Sequence, residues 1–341
     1  MNDCGERMTA PSSVSAALDQ LKKSYDAEVK NLLKEKQILA VILKNCVNEF
    51  QDCRQEDIAE KYIEGVPQTN AAVIDQDAAF PDIVQRSRGS RITGDANEDK
   101  SIREGQVTYD IRFVALAPGT GEPIKLIINI EAQRETKGQQ YSVVTRGIYY
   151  CGRLISAQKN VEFTGMHYED IKKVYSIWIC QNVPEDKELS IISYEIRENI
   201  LKELHVVKPE PRQNYDLMTI LILGLGDPEK KAGNDALGML STALADGLDV
   251  DRKKRVLSER YGISMTESVE RTVANMCNLS TGIEERAKAR GIKQGNEQGI
   301  EQKTIESIGN MIDRGYPDDE ISLCLAVPIE KVAAARSGKS A

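Results

Sequence analysis

"KLIINIEAQRE", residues 125–135, is the stretch on which the fold of this 341-residue chain turns. Leu126, Ile127, Ile128 and Ile130 suit a pleated, buried surface, and the run predicts a strand. It then ends on Glu131 and Gln133. Side chains two apart on a strand leave the same face. An acid and an amide therefore stand side by side at the end of a strand whose other residues belong in a core.

The segment before it sharpens the question. "VTYDIRFVAL" (107–116) also reads as a strand, and "APGTGEP" between the two is a hairpin signal. With Thr120 and Gly121 at the tip, paired positions sum to 241, which sets Asp110 directly opposite Glu131. Such neighbours have Cβ atoms about 4.5–5.5 Å apart. Two carboxylates that close raise each other's pKa unless a cation lies between them. The pair faces a divalent metal, or each other at a cost. The plainer alternative is that both acids are solvent-facing members of an alternating pattern, and a register slip of one residue would undo the pairing.

Outward from the hairpin, the periodicity predicts an organised chain. Residues 1–15 read as a disordered tail, and 16–64 as helices, the last of them (53–65) stopped by Gly65. Residues 66–106 read as a long irregular segment with a short strand or two. After the hairpin come a helix over 142–158 and strands over 174–180, 189–196 and 217–225. Helices follow over 234–245, 251–260 and 265–278. The expected domains are a core over 16–226, a helical extension over 227–285, a polar Gly-punctuated helical spacer over 286–303 and a small helical unit over 304–341. That last unit has Pro317 and Pro328 at helix starts. It reads equally as a helix-turn-helix-like element or as an oligomerisation or capping element.

Composition narrows the function classes. A formal charge of −8 argues against coating nucleic acid along the whole length, while leaving room for a local basic patch. The seven cysteines form no CxxC pair and the two histidines lie apart from them, which argues against zinc and for reduced thiols. No signal peptide or membrane-length apolar run is visible, so a cytoplasmic protein with no membrane partner is expected. Self-association into a homo-oligomer is left open.

An Asp, a hairpin turn and Glu-x-Gln at the end of an apolar strand resemble the PD-(D/E)XK nuclease superfamily. With "GIYYCGRLISAQ" and "KVYSIWICQN" the stretch resembles more closely the PD-(D/E)XK nuclease family transposases, kin of the Rpn recombination-promoting nucleases. The resemblance implies an α/β fold with a restriction-endonuclease-like core, a central mixed sheet flanked by helices, and an α-helical C-terminal extension. It implies that Asp110, Glu131 and the Ala132 backbone carbonyl hold Mg²⁺ or Mn²⁺, with Gln133 in the usual Lys position as a third catalytic residue. Gln carries no charge and cannot serve as a base, so it would orient water by hydrogen bonding. A Glu from the N-terminal helices completes such sites, and Glu49 and Glu64 are both candidates.

Around the following helix, Arg134, Lys137, Arg146, Arg153 and Lys159 face the single acid Glu135, interleaved with tyrosines that include Tyr141. That suits a phosphate-contacting wall, with Arg134, Lys137, Tyr141, Arg146 and Arg153 as nucleic-acid ligands. It equally suits an amphipathic helix with tyrosines in the core. The expected function is metal-dependent hydrolysis of DNA phosphodiester bonds, linked to recombination or transposition. The rival is a catalytically weak or inactive nuclease fold that binds DNA or protein.

Overall fold

The computed structural model describes residues 13–65, 67, 73–75, 98–101, 105–119, 124–136, 141–202, 204–230 and 235–339. By compactness they fall into two units: 23–280, and the residues up to 22 together with 281–341. Residues 227–280 fall in the same unit as the main sheet. Of the tail expected over 1–15, residues 1–12 lie outside the described residues, as does most of the irregular 66–106 segment, while Ser13–Ser15 are not tail but the first residues of a helix. Lys137 and the tip of the hairpin also lie outside the described residues.

The larger unit is mixed α/β. Helices α1 (Ser13–Leu33) and α2 (Lys36–Cys46) lead into it. Short strands β1 (Val73–Asp75), β2 (Glu98–Ser101) and β3 (Gly105–Thr108) form a small sheet. The main sheet contains β4 (Ile111–Ala117), β5 (Ile124–Glu135), β6 (Lys173–Asn182), β7 (Ser190–Glu195) and β8 (Met218–Gly224), in the order β4-β5-β6-β8-β7. The outer pairs are antiparallel, while β5-β6 and β6-β8 are parallel. Parallel neighbours need a crossover, and α3 (Val143–Ser156) supplies it between β5 and β6. Then come α4 (Ala236–Leu244) and α5 (Val250–Tyr261).

Packing follows the alternation. Ile127, Val174, Trp178, Cys180 and Ile220 meet Cys151 and Leu154 of α3 in one core cluster. At Gly147 a Cβ would come within 2.6 Å of Ile220 Cγ2 and 3.1 Å of Trp178 Nε1, so glycine lets α3 approach the sheet. On the opposite face Leu126, Ile128 and Ile130 are fully buried. Helix α2 is buried continuously from Ile38 to Leu43, all round its circumference, which suits a helix enclosed between layers.

Two sequence expectations change. The strand over 107–116 is interrupted at Tyr109 and Asp110, where β3 ends and β4 has not begun. The region from 265 to 303, expected as a helix over 265–278 and a helical spacer over 286–303, is not divided. It is one helix, α6, over Glu267–Asp313, through Gly291, Gly295 and Gly299. Lys, Gln and Glu between these glycines are good helix formers, and their propensity outweighs isolated glycines. The smaller unit takes its helices from this segment, α7 (Asp318–Leu325) and α8 (Ile329–Lys339), around Ile308, Ile321 and Val332. Among the described residues no helix is long and apolar enough to cross a membrane.

Candidate metal centre

The hairpin register is the one the arithmetic predicts. Ile111 pairs with Ile130 and Ala117 with Ile124, so every pair sums to 241. The ladder stops one step before Asp110 and Glu131. There, side chains replace it. The Asp110 N–H donates to Glu131 Oε1 (3.1 Å), and the Ala132 N–H donates to Asp110 Oδ2 (3.0 Å). This reciprocal lock holds Asp110, immediately before β4, against Glu131, inside β5. The N–H and C=O of one residue leave an extended strand on the same edge, so the Ala132 carbonyl lies on the Asp110 side too.

Charges are unevenly distributed over the pair. Lys30 Nζ of α1 lies 2.6 Å from Asp110 Oδ1, with the two side chains 22% and 19% exposed. Glu131 is 5% exposed and receives, besides the Asp110 N–H, only the neutral Asn129 Nδ2 (3.3 Å) among the bonds described here. Burial first, and then the Asp110 charge, push its carboxyl up to about 8, against smaller lowering effects from the Asp110 N–H, Arg146 and Asn129.

Gln133 follows on the same face of β5. Its Oε1 accepts from Arg146 Nη1 (3.3 Å), and Arg146 Nη2 donates to Tyr150 Oη (3.2 Å). The Arg146 guanidinium lies 4.8 Å from the Trp178 ring centroid and 5.4 Å from that of Tyr141. Arg146 and Tyr150 are four apart on α3, so one helical turn clamps the amide.

Two of the other expected phosphate ligands, Arg134 and Arg153, lie elsewhere, and Lys137 is outside the described residues. Arg134 points to the opposite face, 4.5 Å from the Tyr25 ring centroid and paired with Asp246 at 3.1 Å. Arg153 is 4% exposed, within the fold. Among the described residues of the set, Arg146 and Tyr141 come together beside Gln133.

Neither N-terminal acid reaches the centre. Glu49 accepts from Tyr175 Oη (2.6 Å) and pairs with Lys173 Nζ (3.1 Å). Glu131 aligns with Trp178, so Tyr175 lies three residues and Lys173 five residues back along β6. That is roughly 10–16 Å at strand rise. The Glu64 N–H donates to the Val114 carbonyl (3.0 Å), at the edge of β4 and four residues from Asp110. Lys30 is the group that the N-terminal helix delivers instead, and nothing in the sequence distinguishes it from neighbouring lysines. Asn129, two residues before Glu131 on its face, was within reach of the same alternation argument.

Hard oxygen donors suit Mg²⁺ or Mn²⁺. Two carboxylates and one carbonyl fit such an ion with water completing the shell, and the buried Asn129 Oδ1, without a hydrogen-bond partner, leaves a further oxygen beside them. No group of three or more His, Cys, Asp or Glu suited to a metal occurs among the described residues. Comparisons with family models, curated proteins and solved structures return no match for the chain.

Proposed function

We propose that this chain is a metal-dependent nuclease that hydrolyses phosphodiester bonds of DNA, with a restriction-endonuclease-like core. One observation carries the reading: the Asp110–Glu131 lock holds two carboxylates side by side on adjacent strands and leaves the buried one short of positive charge. The resemblance to PD-(D/E)XK nuclease family transposases assigns these two residues to metal. Recombination or transposition is the process that the resemblance suggests for the activity.

In this reading Asp110, Glu131 and the Ala132 carbonyl hold Mg²⁺ or Mn²⁺. When bound, the ion supplies Lewis acidity to a phosphoryl oxygen and lowers the pKa of a water. Asp110 would have to give up Lys30 to serve as a ligand, and Gln133 would orient the attacking water by its amide. Arg146 holds that amide in place and presents positive charge beside it to the phosphate.

Purified chain is incubated with plasmid DNA and Mg²⁺ or Mn²⁺, with EDTA as control, alongside Asp110→Ala and Glu131→Ala. Cleavage by the wild type alone is expected. The double variant should lose little more than either single one, because residues that act through one ion are not additive. Equal cleavage by wild type and Asp110→Ala would exclude this site.

A second reading is a nuclease fold that binds DNA or protein without cutting. The Lys30 ammonium already on Asp110, and Gln133 where the superfamily carries Lys, favour it. Metal-independent DNA binding without cleavage is its signature.

A further inference from the structure

The two edges of the main sheet are treated differently. At β4 the edge is covered, since Ile63 bridges Ala115 and the Glu64 N–H donates to the Val114 carbonyl. At the other end β7 is outermost, paired only with β8 among the described strands. Open edges are templates for pairing, and proteins blunt them with lysine, proline or bulges. Ser190–Glu195 contains neither lysine nor proline, and its one charge is at its end.

The chain that leaves β7 adds apolar surface beside this edge. The described residues of 196–211 carry no helix or strand, and the loop is closed at its base. The Glu210 N–H donates to Glu198 Oε1 (3.2 Å), and Arg212 pairs with Glu195 (3.7 Å). Beyond that base, Leu201, Leu204 and Val206 are 90%, 82% and 94% exposed, with Ile196, Ile200 and Val207 each 42% exposed. Ile191 and Tyr194 of β7 are 39% exposed. A loop held shut by its own polar groups yet turning its apolar side chains outward is built to meet another surface.

We propose that this surface joins two copies of the chain, with the β7 strands antiparallel across a two-fold axis and the side chains of Ile196, Ile200, Leu201, Leu204, Val206 and Val207 packed over the junction. Two arguments select a second copy. Buried completely, the exposed apolar residues would contribute roughly 800 Å² per protomer, the area that a standard interface takes from each partner. Residues 190–212 hold four basic and four acidic residues, so in a chain of −8 this patch is neutral and does not repel its own copy. The same balance disfavours a nucleic acid at this face. The strand and loop are continuous, so one symmetry axis brings both into register with their equivalents. This inference does not depend on the nuclease reading.

Full-length protein at tens of micromolar is sized by light scattering after gel filtration, and backbone hydrogen exchange is read over β7. The wild type should be dimeric, with β7 amides protected. Leu204→Glu with Val206→Glu changes only side chains at least 82% exposed, so the fold should persist by circular dichroism. It should weaken dimerisation by about 100-fold or more, because two carboxylates would be buried unpaired, and β7 protection should fall with it. A monomeric wild type overturns the proposal, as does a dimer that survives both substitutions. Flotation of a monomeric wild type with neutral phosphatidylcholine vesicles would assign the loop to a lipid surface, and would also overturn it.

Discussion

Replacing Glu131 by Gln tests the electrostatics of the centre before any question of catalysis. Gln keeps the shape and one carbonyl oxygen, so it can still accept from the Asp110 N–H and Asn129 Nδ2. It removes the charge. Burial and Asp110 raise the Glu131 carboxyl from an ordinary 4.5 to about 8 in the folded chain. The unfolded chain releases its proton near the ordinary value, so the folded state binds more protons between those limits. An acid raised in this way contributes stability fully below the unfolded pKa, loses it as pH rises, and has lost it once pH passes the folded pKa. The full shift corresponds to about 5 kcal/mol. Local relaxation and water entry reduce that, and we expect about 2–3 kcal/mol to be recovered by Glu131→Gln at alkaline pH, the size measured for single buried polar groups.

The assay is urea unfolding of both proteins in EDTA at pH 5, 7 and 9. Subtracting one from the other cancels every other titrating group. Glu131→Gln should match the wild type within about 1 kcal/mol at pH 5, a typical scale for a lost hydrogen bond. It should be the more stable protein at pH 9. If the wild type holds its metal, saturating Mg²⁺ should close the gap from the other side, by about 2.7 kcal/mol at a hundredfold excess over the dissociation constant. A difference that does not vary with pH would refute the reasoning, because Glu131 would then titrate alike in both states.

Three further outcomes follow from named contacts. Gln133→Lys, which the superfamily pattern alone would tolerate, brings an ammonium to the Arg146 guanidinium that now donates to the Gln133 oxygen at 3.3 Å. Lower stability is expected by thermal melting, by about 1–2 kcal/mol for a lost charged hydrogen bond and like-charge contact, with recovery in Gln133→Lys plus Arg146→Gln. Lys30→Met removes the cation that Asp110 holds at 2.6 Å. Calorimetric titration should show tighter Mn²⁺ binding, since no ammonium has to be displaced, while the metal-free protein melts at a lower temperature. Ile321→Ala opens the small core of Ile308, Ile321 and Val332 and should cost about 2–4 kcal/mol. Because that core belongs to the smaller unit, calorimetry should show one transition lowered while the transition of residues 23–280 stays in place.

The hairpin was legible because two independent patterns agreed on one register. Apolar residues alternate along both strands, and the Pro- and Gly-bearing turn sets their offset, so a slip would have carried Ile128 and Ile130 out of the core. The break at Tyr109–Asp110 was not legible. It arises from side chains that take over main-chain partners, and strand propensity is blind to that substitution. Glu49 and Glu64 look alike in sequence, two acids near helix ends. Their fates depend on Lys173 and Val114, more than a hundred and about fifty positions away, which no local pattern reports. The helical character of 286–303 was legible from the helix formers between its glycines, whereas its fusion with the segments on either side into one α6 was not.

The same distinction explains why the candidate centre holds its charge unevenly. Sequence alternation delivers Asp110, Glu131 and Gln133 to one face, and the available cations then divide among them. Lys30 goes to Asp110 and Arg146 to Gln133, while the bonds described for Glu131 come from a main-chain N–H and an amide. Each neighbour is matched, and the buried acid between them is the one left to bear the cost of its charge. An evenly solvated surface pair would share water and need no such lock between strands. A buried pair that only stabilised the fold would gain by replacing Glu131 with a neutral residue. Retaining an acid there makes physical sense where a further positive charge arrives, and a divalent ion against both carboxylates is the addition that discharges Glu131 without disturbing the hydrogen bonds that position it.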